Sequence, residues 1–280
     1  MKFSLILCTL GRDRDVGVFL SSLLKQQYDN YELIIVDQNK DDRVSNILDD
    51  FTFPEGVLKY IRQNIPGLSR ARNVGLNHAS GDIIAFPDDD CLYDDDVLQS
   101  VADFFVNEAG KYKVLTVNTR DNSTGKSLIT MPDENCELNR TCLLGCSFTL
   151  FFDKDAASQR FDERLGVGSG FIWGASEEHD YLYRFLQEGT VGYFLKNVFV
   201  FHPAKEEEAL DTHRAYYYGA GLAAFRIKYF SRWRVIKSAA LILTQIFTNL
   251  FIGHWRKSIF KCYFFCGYVM GCVAWRLSIR

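Results

Sequence analysis

Over its first hundred residues the chain alternates between two hydrophobic periods, and few architectures accept that order. Residues 3–8 are a continuous apolar run of strand length, after which Val16, Phe19, Leu20, Leu23 and Leu24 recur at the spacing of one helix face. Residues 32–36 and 57–61 are two further runs, with Val44, Ile47, Leu48 and Phe51 at helical spacing between them. Residues 82–86 read as a fourth strand, followed by a helix whose inner face is Val97, Val101, Phe104 and Phe105. Strands that are apolar almost throughout are covered on both faces. The order therefore predicts an α/β fold with a mostly parallel, doubly wound sheet. Ligands of such sheets bind beyond the carboxyl ends of the strands, so the residues just after strands one, two and four carry the chemistry.

Past about residue 113 the pattern changes to strand-like runs at 114–118, 147–152 and 191–201, which predicts a mixed second half. A further shift follows. From Thr212 onward there are 11 Lys and Arg and no Asp or Glu, while residues 1–211 hold 21 basic and 35 acidic groups. An acidic body with a basic, aromatic tail is not one uniform globule. With 48% hydrophobic and 24% charged residues, the 280-residue chain is neither disordered nor low in complexity. Its eight cysteines form no CxxC pair and several lie in apolar runs, which predicts buried free thiols in a reducing compartment. The short apolar run at the start meets Arg12 at once, with no small-residue cleavage site. It reads as a first strand rather than a signal peptide, and the protein as cytosolic in aspect.

Three constellations can carry chemistry. Asp88-Asp89-Asp90 directly follows the fourth strand. Adjacent carboxylates repel unless a cation or several donors neutralise them, and hard oxygen ligands at a sheet edge suit Mg²⁺ or Mn²⁺ carrying phosphates. A solvated acidic turn leading into a helix capped at residues 94–96 is the competing reading. In the second, Ser69 is a good N-cap after Pro66-Gly67, and Arg70 and Arg72 in the first turn oppose the helix dipole, which points them at an anion. The third is Ser176-Glu177-Glu178-His179-Asp180. Ser176 can cap a helix running to Leu186 and ended by Gly189, with its acids complementing the dipole; alternatively one carboxylate is a general base. His202 closes the run at 191–201. Trp173 can stack on a ligand ring or sit in a core, and Tyr216-Tyr217-Tyr218 can line a groove or pack.

These pieces, in order, resemble the family 2 inverting glycosyltransferases, which have the GT-A fold, in their bacterial polysaccharide and glycolipid form. The resemblance is carried by SLILCTLGR at 4–12, SLLKQQY at 22–28, ELIIVDQNKDD at 32–42, GLSRARNVGLNHASGDIIAFPDDDC at 67–91 and FDERLGVGSGFIWGASEEHDYLYRFLQEG at 161–189. It covers roughly residues 3–205. It implies that Thr9, Asp37, Arg72, Asp88 and Asp89 contact the nucleotide-diphospho-sugar. Asp88 and Asp90 are then the outer acids of a DxD motif, with Asp90 a direct ligand of Mn²⁺ or Mg²⁺ and His202 completing the site. Glu178 is the implied base, ahead of Glu177 and then Asp180. Asp37-Gln38-Asn39-Lys40 departs from the commoner Asp-Asp-Gly-Ser, which leaves the nucleotide base open.

The implied organisation is a catalytic domain at 1–211, with a nucleotide-sugar-binding half at 1–112 and an acceptor half at 113–211. A helical, membrane-associating tail at 212–280 follows. The implied partners are a nucleotide-diphospho-sugar, a saccharide or lipid-linked saccharide acceptor and a membrane surface, with no nucleic acid. Apolar stretches at 235–253 and 259–275, flanked by Arg226, Lys228, Arg232, Arg234, Arg256, Lys257, Arg276 and Arg280, place the tail on the cytoplasmic face of the inner membrane. A peripheral or re-entrant attachment keeps every cation near anionic headgroups, whereas a spanning hairpin would not. The alternatives are a nucleotidyltransferase, which shares the strand-end acids, and a non-catalytic sugar-binding protein anchored in a polysaccharide assembly complex.

Overall fold

The computed structural model describes residues 1–186, 190–204 and 210–278; Gly189 and Arg280, invoked above, lie outside them. Within the described residues the chain forms two compact units. The first comprises residues 1–66, 70–160, 181–186 and 190–204, and the second 67–69, 161–180 and 210–278.

The first unit is built on a single sheet. β1 (Phe3–Thr9), β2 (Tyr31–Asp37), β3 (Leu58–Arg62) and β4 (Ile83–Ala85) pair in parallel in the order β3-β2-β1-β4. β1 and β2 are buried along their whole length, as apolar strands covered on both faces must be. The covering helices are α1 (Arg14–Leu23), α2 (Arg43–Leu48), α3 (Leu68–Leu76) and α4 (Val97–Asn107). α1 turns Val16, Phe19, Leu20 and Leu23 inward, and α4 buries Val97, Val101, Phe104 and Phe105. α3 comes close to the sheet because Gly75 has no side chain: a Cβ there would meet Ile6 Cγ2 at 2.3 Å.

The second half of the sheet is mixed, as expected. A short strand β5 (Leu92–Tyr93), which the pattern did not announce, precedes α4. β6 (Val114–Asp121) and β9 (Gly192–His202) are parallel to each other. β8 (Leu150–Asp153) runs antiparallel between β4 and β6, and β7 (Cys136–Leu138) pairs antiparallel with β9. The run at 147–152 divides, because Ser147–Thr149 winds into a single 3-10 turn before β8 begins.

In the second unit, α6 (Thr212–Tyr229), α7 (Arg232–Phe251) and α8 (Trp255–Ser278) pack together with the segment at 161–180. α8 lies against α6 at backbone distance. A Cβ on Gly267 would stand 1.9 Å from the Tyr216 carbonyl oxygen, and one on Gly271 2.6 Å from the Ala220 Cα. Trp173 is buried, edge-on to Trp275 at 4.8 Å, so it belongs to this core and is no open platform for a sugar. Tyr217 packs over Gly174, which answers the packing reading of the tyrosine run. All eight cysteines are free, but burial is uneven: Cys8 and Cys91 are buried, while Cys262 and Cys266 are exposed on α8.

Candidate active site

The carboxyl ends of β1 and β2 are register neighbours, with Thr9 beside Asp37. Asp37 is fully buried. Its Oδ1 accepts from the Asn39 backbone (2.8 Å) and side-chain amide (2.7 Å), and its Oδ2 accepts from the Tyr60 hydroxyl at 2.6 Å. Asn39 Oδ1 in turn accepts from the Gly11 amide at 2.7 Å. The departure from the commoner motif thus has a local purpose: Asn39 fastens the end of β2 to the loop after β1.

Asp88, Asp89 and Asp90 follow β4 and face different partners. Asp88 Oδ1 accepts from Ser147 Oγ at 3.1 Å and lies 3.4 Å from the guanidinium of buried Arg72. Asp89 accepts from Thr9 Oγ1 at 2.6 Å and from Arg12 at 2.9 Å. Asp90 pairs with Arg12 through one oxygen, and its Oδ1 lies 3.0 Å from His202 Nε2. Burial raises the carboxyls of Asp88 and Asp89, the latter to about 6, against the pull of Arg72 and His202 on the first and of Thr9 and Arg12 on the second. Burial acts on Asp90 in the same sense, but the hydrogen bonds and charges of His202 and Arg12 outweigh it and hold that group at about 2.

His202 is the last residue of β9, and its ring stacks on Phe148 at 4.7 Å. Nδ1 donates to the Pro203 carbonyl at 2.8 Å, which leaves Nε2 directed at Asp90. Burial disfavours the imidazolium, yet Asp90 raises its pKa above the ordinary value. In the neutral ring Nε2 and Asp90 Oδ1 are both acceptors, so a positive charge belongs between them, either a proton or a metal ion. Ligand atoms of Asp88, Asp90 and His202 all lie within 4.8 Å of one another. Two carboxylates and an imidazole oriented by its second nitrogen fit Mn²⁺ or Mg²⁺.

The third constellation lies in the second unit. α5 (Glu177–Phe185) starts after Ser176, whose φ of 70° is a left-handed backbone that a residue with a Cβ adopts at a cost. Glu177 is nearly buried, and Gly166 makes room for it: a Cβ there would stand 3.2 Å from its carboxylate. Glu178 is the most open of the three acids, with its side chain 22% exposed, and meets His179 Nδ1 at 3.1 Å. Asp180 is fully buried, ion-paired with Lys228 and accepting from the Tyr229 hydroxyl at 2.8 Å. Lys228 also reaches Asp162 at 3.0 Å, so Asp180 belongs to a charged network that fixes α6 to this segment.

Arg12 therefore joins Thr9 and Asp89 to Asp90 and His202, the pair Arg72–Asp88 lies beside them with its ligand atom within 4.8 Å, and Asp37 adjoins through Thr9. Of the two arginines on α3, only Arg72 meets Asp88; Arg70 donates to the Pro66 carbonyl at 3.1 Å. Ser69 is not an N-cap. α3 begins one residue earlier, at Leu68, and the Ser69 hydroxyl donates to the Leu165 carbonyl at 2.7 Å. Sequence reasoning passed over Arg12, Asn39, Tyr60 and Ser147. Arg12 and Asn39 had a signal, their places just after the first and second strands.

A mixed sheet, parallel in its first half, with two carboxylates and a histidine that could hold a metal ion beyond its strands accords with a nucleotide-sugar transferase fold. The model of glycosyl transferase family 2 matches residues 4–166, more than half of the chain, and the protein belongs to that family. It is 28% identical over 109 residues to a glucosyl-dolichyl phosphate glucuronosyltransferase of Haloferax volcanii, covering 38% of this chain and 35% of that one. It is 34% identical over 82 residues to the glycosyltransferase GlyA of Streptococcus pneumoniae, covering 29% and 12%. The chain thus spans about a third or less of the length of these curated relatives. The fold is shared with the mannosyltransferase PcManGT from Pyrobaculum calidifontis, solved with GDP-Man and Mn²⁺, at a TM-score of 0.67 and 14% identity over 96% of this chain and 86% of that one.

Proposed function

We propose that the protein transfers a sugar from a nucleotide-diphospho-sugar to a hydroxyl of a saccharide or lipid-linked saccharide, metal-dependently and with inversion. The observation that carries this reading is the convergence of Asp88, Asp90 and His202 within 4.8 Å in a family 2 chain. Bound Mn²⁺ or Mg²⁺ would supply positive charge against the leaving diphosphate. Donor binding falls to residues 1–112, with Thr9, Asp37, Arg72, Asp88 and Asp89 contacting the nucleotide sugar. Acceptor binding falls to 113–211. Glu178 takes the proton of the acceptor hydroxyl as its oxygen attacks the anomeric carbon. The bond from that carbon to the diphosphate breaks on the opposite face, which inverts the centre. Glu178 is favoured because Asp180 is held by Lys228 and Glu177 is nearly buried. A panel of nucleotide sugars, assayed for hydrolysis with and without Mn²⁺, tests the reading; no metal-dependent turnover with any donor would reject it.

The tail supports a membrane site of action, on the cytoplasmic face of the inner membrane. α7 buries Val235, Ile242 and Ile246 yet exposes a second stripe, Trp233, Ile236, Leu243, Phe247 and Leu250. At the turn into α8, Phe251 is 93% exposed and Ile252 and Trp255 are also open, beside exposed Arg256 and Lys257. Trp, aliphatic and basic residues on one surface without acids fit an anionic bilayer surface. α8 is long and apolar enough to cross a bilayer, and α7 does not meet that measure. Because α8 packs on α6 through Gly267, Gly271 and Trp275, peripheral attachment is favoured over spanning. A glucosyl-dolichyl phosphate is what the Haloferax relative's name gives it, which accords with a lipid-linked acceptor here. Flotation of the full chain with phosphatidylglycerol vesicles tests this: binding released by high salt or carbonate supports it, and failure to float overturns it.

A further inference from the structure

The carboxylates of Asp88, Asp89 and Asp90 need counter-charge even when no metal ion is bound. Arg72 supplies one positive charge, 3.4 Å from Asp88 Oδ1. The other guanidinium in contact is Arg12, on the loop after β1, which donates to Asp89 Oδ1 at 2.9 Å and pairs with Asp90 Oδ2. Arg12 differs from Arg72 in its exposure. Its side chain is 39% exposed where that of Arg72 is 2%, and Asp15 Oδ2 already lies 3.8 Å from its Nε as another resting partner.

The charge count then constrains what a dication can do. Among the described residues, and with His202 neutral as a ligand must be, Arg72 and Arg12 oppose three carboxylates with two positive charges. A divalent ion added to both leaves the cluster with an excess of positive charge, whereas an ion that takes the place of Arg12 balances it. Like charges at contact distance in a partly buried site repel by several times the thermal energy, so the arrangement with Arg12 withdrawn is the stable one. The withdrawn guanidinium needs an anion, and the diphosphate of a donor at the carboxyl edge of this sheet is one with matching geometry.

We propose that Arg12 is a built-in counter-cation of this cluster, which competes with the divalent ion for Asp90 and makes ion binding depend on the donor diphosphate. This rests on the reading of Asp88, Asp90 and His202 as metal ligands. Arg12 is a positioning residue here, and its effect is read in binding rather than in turnover.

The test is Mn²⁺ binding to the full chain, followed by the electron paramagnetic resonance signal of free Mn²⁺. Without nucleotide, Arg12→Gln should bind Mn²⁺ about tenfold more tightly than the wild type. Arg12→Lys, which keeps the charge but concentrates it on one strongly hydrated ammonium in place of the Nη1 that touches both Asp89 and Asp90, should fall between them. Adding UDP or GDP should tighten Mn²⁺ binding in the wild type and do so far less in Arg12→Gln, since coupling between two ligands is reciprocal and Arg12 carries it. Folded variants that bind Mn²⁺ no more tightly than the wild type would overturn the proposal. Absence of Mn²⁺ binding in every protein, with and without nucleotide, would reject the metal site itself and the proposal with it.

Discussion

His202 Nε2 lies 3.0 Å from Asp90 Oδ1, so the last residue of β9 and the turn after β4 meet at one charged contact. His202→Phe keeps the ring stacked on Phe148 and removes the nitrogen. Mn²⁺ affinity should fall by tenfold or more, about what disturbing a metal site's oriented histidine costs, with the melting temperature little changed. An unaltered Mn²⁺ titration would take His202 out of the ligand set.

Glu178→Gln should lower kcat by about a hundredfold or more while donor binding persists, because loss of a general base acts on the chemical step. Asp180→Asn should behave differently. It removes the fully buried carboxylate from the network in which Lys228 keeps Asp162, so the melting temperature falls along with activity. If Glu177→Gln is crippled and Glu178→Gln is not, the two glutamates exchange roles.

The sheet was legible wherever a local period decided it. β1 and β2 lie within about a residue of the runs at 3–8 and 32–36, because a strand buried on both faces shows itself in every side chain, and the half-buried edge strand β3 lies one residue past the run at 57–61. The acidic turn and His202 were legible as chemistry, since adjacent carboxylates are costly wherever they stand. What stayed hidden depends on distant partners. β5 has two residues and exists only through its pairing with β9. Ser69 has the composition of a cap but spends its hydroxyl on Leu165, and Asp180 resembles a dipole-complementing acid until Lys228 is seen beside it. Neither partnership leaves a local trace in the sequence.

Glu32 predicts a pH dependence of stability. It is buried on β2 and accepts from Lys59 Nζ, Ser4 Oγ, the Ser80 amide and Lys2 Nζ. Burial alone would raise its pKa, but these donors prevail and hold it at about 2, below an ordinary value of 4.5. A depressed folded-state pKa contributes stability above pH 4.5 that is lost as pH falls toward 2. Glu32→Gln should cost about 2 kcal/mol at pH 7, allowing for screening at the partly exposed lysines, and progressively less in urea titrations between pH 4.5 and 3. A cost that stays constant over that range would contradict the ion-pair account.

Gly267→Val should separate α8 from α6, since a Cβ there collides with the Tyr216 carbonyl. The expected loss is about 2 kcal/mol or more, read as a lower melting temperature. The neighbouring exposed Val269→Ala should change it little. Equal melting temperatures for Gly267→Val and the wild type would show that the helices are not packed this closely.

The central claim is metal-dependent sugar transfer through the strand-end acids. Its most direct measurement is nucleotide-sugar turnover in chelator and after Mn²⁺ is restored, for the wild type and Asp90→Asn. Removing one of several mutually repelling carboxylates should leave the variant folded. The wild type should turn over only with Mn²⁺, and Asp90→Asn under neither condition. Full wild-type activity in chelator, or near-normal Mn²⁺-dependent activity in Asp90→Asn, would contradict the account.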